Sequence, residues 1–341
     1  MSTHGSSTPP QVDRQRRFPR SLWFVAVLAV VLLLQAFSGT GIFLMFLGAP
    51  FWSIPLVNLA MIGIAIEAAT RRVSRSWLIA PLLFFGVYWS LAVKDYASLS
   101  HLTAVYQAAN SRVAIEFDPA LQALVFGGET TNGNFATTYG LPVQYEVNSN
   151  HPEGFVSSRV VDKAVCELLR KPSLERQTDA YEHGIFDDSG GVQSDLDERF
   201  CNVSMPEKPS LPMVRVVRQS EDTNAWFLPV EKVTTTVTLP DGRQYQLVEG
   251  YASPLPWIPM PLAGCTLISA RASWECGAQF LRANSISIVS SPNEHNSGDA
   301  ILARALGLKP VTAAERTASD PAPVLARLAA FEKTKREGPA D

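Results

Sequence analysis

From Leu22 to Ile66 the chain carries no charged side chain. That is about 45 positions, more than twice the roughly 20 residues a helix needs to cross a bilayer. Gly48-Ala49-Pro50 is a turn signal near the middle, so the stretch reads as two spans, near 22–47 and 51–69. "RRVSR" (71–75) closes the second, and "WLIAPLLFFGVYWSLAV" (77–93) forms a third before Lys94-Asp95. The first span is longer than a bilayer requires, with Ser38-Gly39-Thr40-Gly41 as its soft point. Pro55 and Pro81 fall near the starts of their spans, where a missing N–H costs least.

Arginine placement orients the spans. Residues 1–93 hold seven arginines (14, 16, 17, 20, 71, 72 and 75), no lysine, and two acids, Asp13 and Glu67. Four arginines precede the first span, three follow the second, and the 48–52 turn has none. Basic residues are retained on the cytoplasmic side. The N-terminus and 71–75 are therefore predicted inside, and everything beyond Lys94 outside. Trp23, Trp52, Trp77, Trp89 and Tyr96 fall near the expected interfaces. Ala36-Phe37-Ser38 also has the form of a signal cleavage site, but the apolar run resumes at once, which favours an uncleaved span. Glu67, an acid within a span, lies close enough to Arg71 and Arg72 to pair with them or reach the headgroups. Gln35 is placed for an interhelical hydrogen bond. Nothing here lays a polar track suited to a transporter.

Beyond Lys94 the composition changes. Of 29 basic and 32 acidic groups overall, 22 and 30 fall in residues 94–341, a net of −8. That balance argues against a nucleic-acid surface. "RVAIEF" (112–117) and "LPVQYEV" (141–147) alternate as strands do. "EKVTTTVTLPDGRQYQLVEG" (231–250) is the clearest hairpin, two β-rich runs around Pro240-Asp241-Gly242. "MVRVVR" (213–218) and "SISIVSS" (285–291) add strands. Helices are predicted over "SRVVDKAVCELLRK", opening at Ser157 or Ser158 and stopped by Pro172, and over 297–306, capped by Ser297 and ended by Gly307. A last helix starts near Pro321 and carries Val324, Leu325, Leu328 and Phe331 as one stripe. Residues 172–212, polar and rich in Gly and Pro, read as a long loop or insertion.

The expected architecture is thus membrane-anchored α+β. A cytoplasmic tail covers 1–21, and a three-span region covers 22–94. A strand-rich extracytoplasmic domain with a few short helices covers 95–310, and a linker with an amphipathic helix covers 311–341.

All four cysteines, Cys166, Cys201, Cys265 and Cys276, fall in the exported part. An even number on the oxidising side points to two disulfides. Three pairings are open, and short loops favour 265–276 with 166–201. A tight two-residue turn between Cys265 and Cys276 would use Ala270-Arg271, poor turn chemistry, so a looser loop is expected there. Zinc is disfavoured, because no close Cys pair exists and the five histidines are scattered.

"YEHGIFDDSGGVQSDLDERF" (181–200) concentrates His183 with Asp187, Asp188, Asp195, Asp197 and Glu198. Asp187 to Glu198 has the length of an EF-hand loop, but position six is Val192 where the turn demands Gly. There is no Gly-x-Ser-x-Gly elbow and no phosphate-cradling Gly-rich loop. A solvated polar loop is the plainer reading, with no metal and no cofactor expected.

"YASPLPWIPMPLAGC" (251–265) interleaves four prolines with Leu255, Trp257, Ile258, Met260 and Leu262. Proline stiffens the backbone and lowers the entropy cost of presenting side chains. Trp257, Ile258, Met260 and Leu262 are read as a preformed ridge for a partner protein or the bilayer surface; the alternative is a loop folded over the domain's own core. The sequence points to a non-enzymatic, membrane-anchored envelope protein whose exported domain binds or helps assemble a partner. The lipid bilayer and another envelope or membrane protein are its expected neighbours. The competing reading is a membrane-bound hydrolase working from 181–198.

Overall fold

The computed structural model describes residues 18–127, 133–149, 153–174, 191–268, 273–288 and 297–337. It is mixed α+β with one large sheet, and the chain divides into two compact units. The first comprises Met1–Leu99, Asn224–Pro229 and Ser253–Ile286; the second comprises Ser100–Thr223, Val230–Ala252 and Ser287–Asp341. The sequence reading takes 95–310 as one exported domain, with 311–341 as a separate linker and helix. Residues 224–229 and 253–286 instead group with the helices, through contacts too distant along the chain for any local pattern to show.

In the first unit the uncharged stretch forms α1 (Leu22–Ala36), α2 (Ser38–Phe46) and α3 (Ala49–Ala69). The expected single span over 22–47 is broken: α1 and α2 are bent by 119° at Phe37, whose backbone is extended. Ser, Gly and Thr at 38–41 are poor helix formers. The Thr40 hydroxyl also donates to the carbonyls of Leu34 and Phe37, an alternative to continuing the ladder. At about 1.5 Å per residue α1 is about 22 Å long, short of a bilayer core of about 30 Å. Gly48 then adopts φ 67°, ending α2 and letting α3 begin with Pro50 in its first turn.

A 3₁₀ turn (Arg75–Leu78) leads into α4 (Ile79–Asn110). The sequence ended this helix near 93, where charge appears. The structure carries it on, because charge ends an apolar run without ending a helix. Among the described residues two helical stretches, Ala49–Ala69 and Arg75–Asn110, are long and apolar enough to cross a membrane, and the bent pair makes a third if counted as one. Strands β9 (Pro261–Ile268) and β10 (Ser273–Phe280) pair antiparallel in this unit.

The second unit holds the large sheet. Its strands are β1 (Ala123–Gly127), β2 (Gln144–Val147), β3 (Phe155–Asp162), β4 (Gly191–Asp195), β5 (Phe200–Pro206), β6 (Met213–Ala225), β7 (Leu228–Thr238), β8 (Gln244–Ala252) and β11 (Ile286–Ser287). Among the described residues their order is β11-β8-β7-β6-β1-β2-β3-β5-β4. β1 runs parallel to both neighbours, β2 and β6, and is buried on both faces, as a central parallel strand must be. Among the described residues it also holds helices α5 (Phe135–Tyr139), α6 (Lys163–Leu174), α7 (Ser297–Ala305) and α8 (Ala322–Glu337).

Several local expectations change. "RVAIEF" is extended but unpaired in the sheet; Ile115 is buried and its N–H donates to Ala305. Residues 155–162 are strand, and the helix opens only at Lys163. Val160 and Val161 are both fully buried, and such β-branched residues suit a strand covered on both faces. The segment taken as a loop, 172–212, contains β4 and β5. In α8, Val324 and Leu328 pack with Val161, Leu169, Val203 and Met205 around Cys166 and Cys201. The terminal helix therefore docks on its own domain.

Candidate functional site

In the first unit, polar side chains of apolar helices converge on the proline-rich segment. Ser53 donates to Pro261 O (2.8 Å) and accepts from Ala263 N (2.9 Å). Asn58 donates to Pro259 O (2.8 Å), and Gln35 Oε1 accepts from Cys265 N (2.9 Å). From α4, Tyr88 donates to Pro256 O (2.7 Å) and Ile258 O (3.2 Å), and the Trp89 indole to Trp257 O (3.1 Å). Leu281 N donates to Met260 O at 2.8 Å. Every carbonyl from Pro256 to Pro261 is thus bonded.

The physical reason is the surroundings. A carbonyl buried beside apolar helices without a partner costs about 1–3 kcal/mol. The four prolines contribute twice, stiffening the strap and removing four N–H donors that would need partners. The close fit requires Gly264, where an added Cβ would lie 2.8 Å from both Gln35 Oε1 and Pro50 Cβ. At the other end of the helix pair, Glu67 accepts from Arg20 N, Ser21 N and the Ser21 hydroxyl. The acid expected to seek Arg71 and Arg72 caps α1 instead, meeting donors that every helix start leaves open.

A second node lies along α4. Tyr88, Ala92 and Asp95 follow i, i+4, i+7 and share one face; Leu255 packs against Tyr88 and Ala92. Asp95, 3% exposed, pairs with Arg282 at 2.9 Å and accepts from Leu255 N at 3.1 Å. Arg282 also donates to Ser253 O (2.9 Å) and Phe227 O (2.6 Å). One ion pair thus ties α4, the strap, the exit of β10 and the tip of the β6–β7 hairpin.

That tip is Trp226-Phe227. A two-residue hairpin connection favours Asn or Gly because it demands positive φ. Here Trp226 itself takes φ 62°, which costs a bulky residue about 1–2 kcal/mol. Lys94 Nζ lies 3.8 Å from its ring centroid, while Tyr96 stacks on Trp257 at 4.7 Å with rings 3° from parallel.

The four residues read as a ridge divide. Trp257 and Ile258 are 57% and 66% exposed, but Met260 and Leu262 are half-buried. The segment neither stands free nor covers the core of the strand-rich domain; it lies on the helices. Cys265 is bonded to Cys276 and Cys166 to Cys201. The looser loop expected between Cys265 and Cys276 is an antiparallel hairpin with the cysteines directly opposed, whose connection, 269–272, lies outside the described residues.

Of the acidic cluster, His183, Asp187 and Asp188 lie outside the described residues. Asp195 is bonded by Arg170 at 2.9 Å with Lys163 at 3.9 Å, and Arg170 first of all holds its carboxyl below the usual range. Asp197 accepts from the N–H groups of Arg199 (2.7 Å) and Phe200 (3.0 Å) and meets Arg316 at 3.3 Å. The Arg199 N–H is the largest cause of its lowered carboxyl pKa. Both acids serve the β4–β5 connection and stay ionised, which suits neither to donating a proton at neutral pH. Glu198 is exposed. Among the described residues no group of three His, Cys, Asp or Glu side chains is placed to hold a metal ion.

Sequence reasoning passed over Ser53, Asn58, Asp95, Arg282, Trp226 and Phe227. The signals were polar side chains recurring in a stretch without charges, and Trp-Phe where a β-turn needs Asn-Gly. No family model, curated protein or solved structure matches this chain.

Proposed function

We propose that this is a non-enzymatic envelope protein, anchored by its apolar helices, whose disulfide-bonded α+β domain stands on the outer side and binds or helps assemble a partner protein. The observation that carries the reading is how the helices use their polar groups. Gln35, Ser53, Asn58 and Tyr88 bond the backbone of the chain's own strap, an arrangement that suits an anchor and supplies no ladder of groups for a moving solute. Arginines before α1 and at 71–75 favour a cytoplasmic N-terminus. Two disulfides beyond Lys94 suit an oxidising compartment. The acids Asp195 and Asp197, held in structural ion pairs, lend the hydrolase reading no support.

Two readouts on intact cells test this. A membrane-impermeant maleimide should label the chain only after reduction; labelling that needs lysis and no reductant would place the domain in the cytoplasm and end the reading. A photo-crosslinking residue at exposed Leu121 or Val147 should then yield a discrete heavier adduct with another protein. Absence of any adduct from several exposed positions would remove the partner from the proposal.

A further inference from the structure

We infer that Trp226 and Phe227, together with Trp257 and Ile258, form an aromatic anchor that seats in the interfacial zone of the outer leaflet, around the point where α4 leaves the membrane. This rests on the membrane-anchored reading above and adds to it a lipid-contacting site outside the helices.

The geometry comes first. Lys94 and Tyr96 are two residues apart on α4, so they leave the helix about 200° apart and about 3 Å apart in height. Trp226 sits over Lys94 and Trp257 on Tyr96, which puts two indole rings on opposite flanks of one helix at one level. Trp89, exposed and bonded to Trp257 O, lies about two turns nearer the helix start. Below this level α4 presents Leu82, Leu83, Val87 and Val93 outward. Above it the exposed positions of α4 are mixed, with Ser100, His101 and Gln107 beside a single exposed large apolar side chain, Val105. The rings therefore lie where the mainly apolar face of α4 gives way to a mixed one, and amphipathic rings favour such a headgroup boundary.

Exposure is the second observation. Trp226 is 75% and Phe227 63% exposed, and Trp257 and Ile258 are similarly open. These side chains are not spent on a core. Their backbone is nevertheless fixed: Arg282 bonds Phe227 O and Asp95 together, so the tip is presented rigidly from the helix. Keeping Trp at a position whose φ favours Gly makes sense where the ring itself has a task. Lys94 at the same level supplies a cation for lipid phosphate. A lipid leaflet fits better than a protein partner because the patch flanks a helix whose outward face, with Leu82, Leu83, Val87 and Val93, is itself apolar.

The test uses the full chain in nanodiscs of phosphatidylcholine and phosphatidylglycerol. An environment-sensitive fluorescent amino acid replaces Trp226, with separate chains carrying it at Trp257 and at Leu83. Nitroxides sit either near the lipid headgroup or near the acyl terminus, and iodide probes water access. The expected result is that positions 226 and 257 are quenched about threefold more by the shallow nitroxide than by the deep one, and weakly by iodide. Leu83 should be quenched by the deep nitroxide. If Leu83 responds to lipid while 226 and 257 respond only to iodide, or to neither quencher, the anchor is overturned and the membrane reading stands. If Leu83 too fails to respond to lipid, the membrane reading itself has failed.

Discussion

Arg282 and Asp95 lie 187 positions apart in sequence and 2.9 Å apart in space, with the carboxylate almost fully buried. Removing the cation strands that charge, at about 3–5 kcal/mol. Arg282→Met should therefore cause a large loss of thermal stability in detergent. Arg282→Lys, which keeps the charge but cannot fork to both Asp95 and Phe227 O, should lose about 1 kcal/mol. Equal losses for the two variants would show that the ion pair is not what holds this node.

Ser53 both donates to Pro261 O and accepts from Ala263 N. Ser53→Ala leaves two backbone groups without partners, and Asn58→Ala leaves the Pro259 carbonyl. The losses should be about 2–4 and about 1–3 kcal/mol, in that order. Protease access within 253–268 is the readout. A strap as protected in Ser53→Ala as in the wild type would mean that water reaches these carbonyls.

The two disulfides close loops of different length, with separations of 35 and 11. Chain-entropy arguments assign about 4 kcal/mol to Cys166–Cys201 and about 3 kcal/mol to Cys265–Cys276. Paired Cys→Ala variants, unfolded in denaturant, should rank in that order. The reverse order would indicate that the helices, rather than the unfolded chain's freedom, decide the value of the second bond.

Trp226→Gly sets two terms against each other. Relief of the left-handed backbone returns about 1–2 kcal/mol, and loss of the ring over Lys94 removes about 0.5–1 kcal/mol. Stability in detergent should stay level or rise slightly, as measured by melting temperature. A fall of several degrees would show that the ring supports the fold rather than an outside surface.

Asp197 gives a pH dependence with a definite sign. Its folded carboxyl is held below the ordinary aspartate value, first by the Arg199 N–H. The stability it contributes is therefore present above the unfolded value and is lost as pH falls through the folded one. Asp197→Asn should be less stable than wild type near neutrality, and the two should converge in acid. A gap that stays constant with pH would assign the effect to shape instead of charge.

How much of this was legible depended on whether a residue's partners were close in sequence. The β7–β8 turn was readable because Asp241 and Gly242 meet its needs locally: Gly242 takes φ 88° and Asp241 bonds Arg243 N. The cysteines were readable because their even number and the short-loop pairing agree with the two bonds formed. β1 was missed because a parallel strand buried on both faces shows no alternation. Residues 157–162 were misassigned because valines spaced for a helix face also suit a fully covered strand. At 251–265 proline stiffness was visible, but the docking was not, since Tyr88 and Asn58 lie 168 and 201 positions from the carbonyls they bond.

That distance also sets a timetable for the chain as it is made. At about 5–20 residues per second, the 201 positions between Asn58 and Pro259 take about 10–40 s to synthesise. Throughout that interval Ser53, Asn58 and Tyr88 have no strap to bond. Until then Ser53 and Asn58 have only the carbonyls of Pro50 and Ile54 on their own helix to bond, and a protein stalled before residue 256 lacks every strap carbonyl that these helices hold. Maturation is complete only when the late-made, disulfide-closed hairpin returns to the helices made long before it.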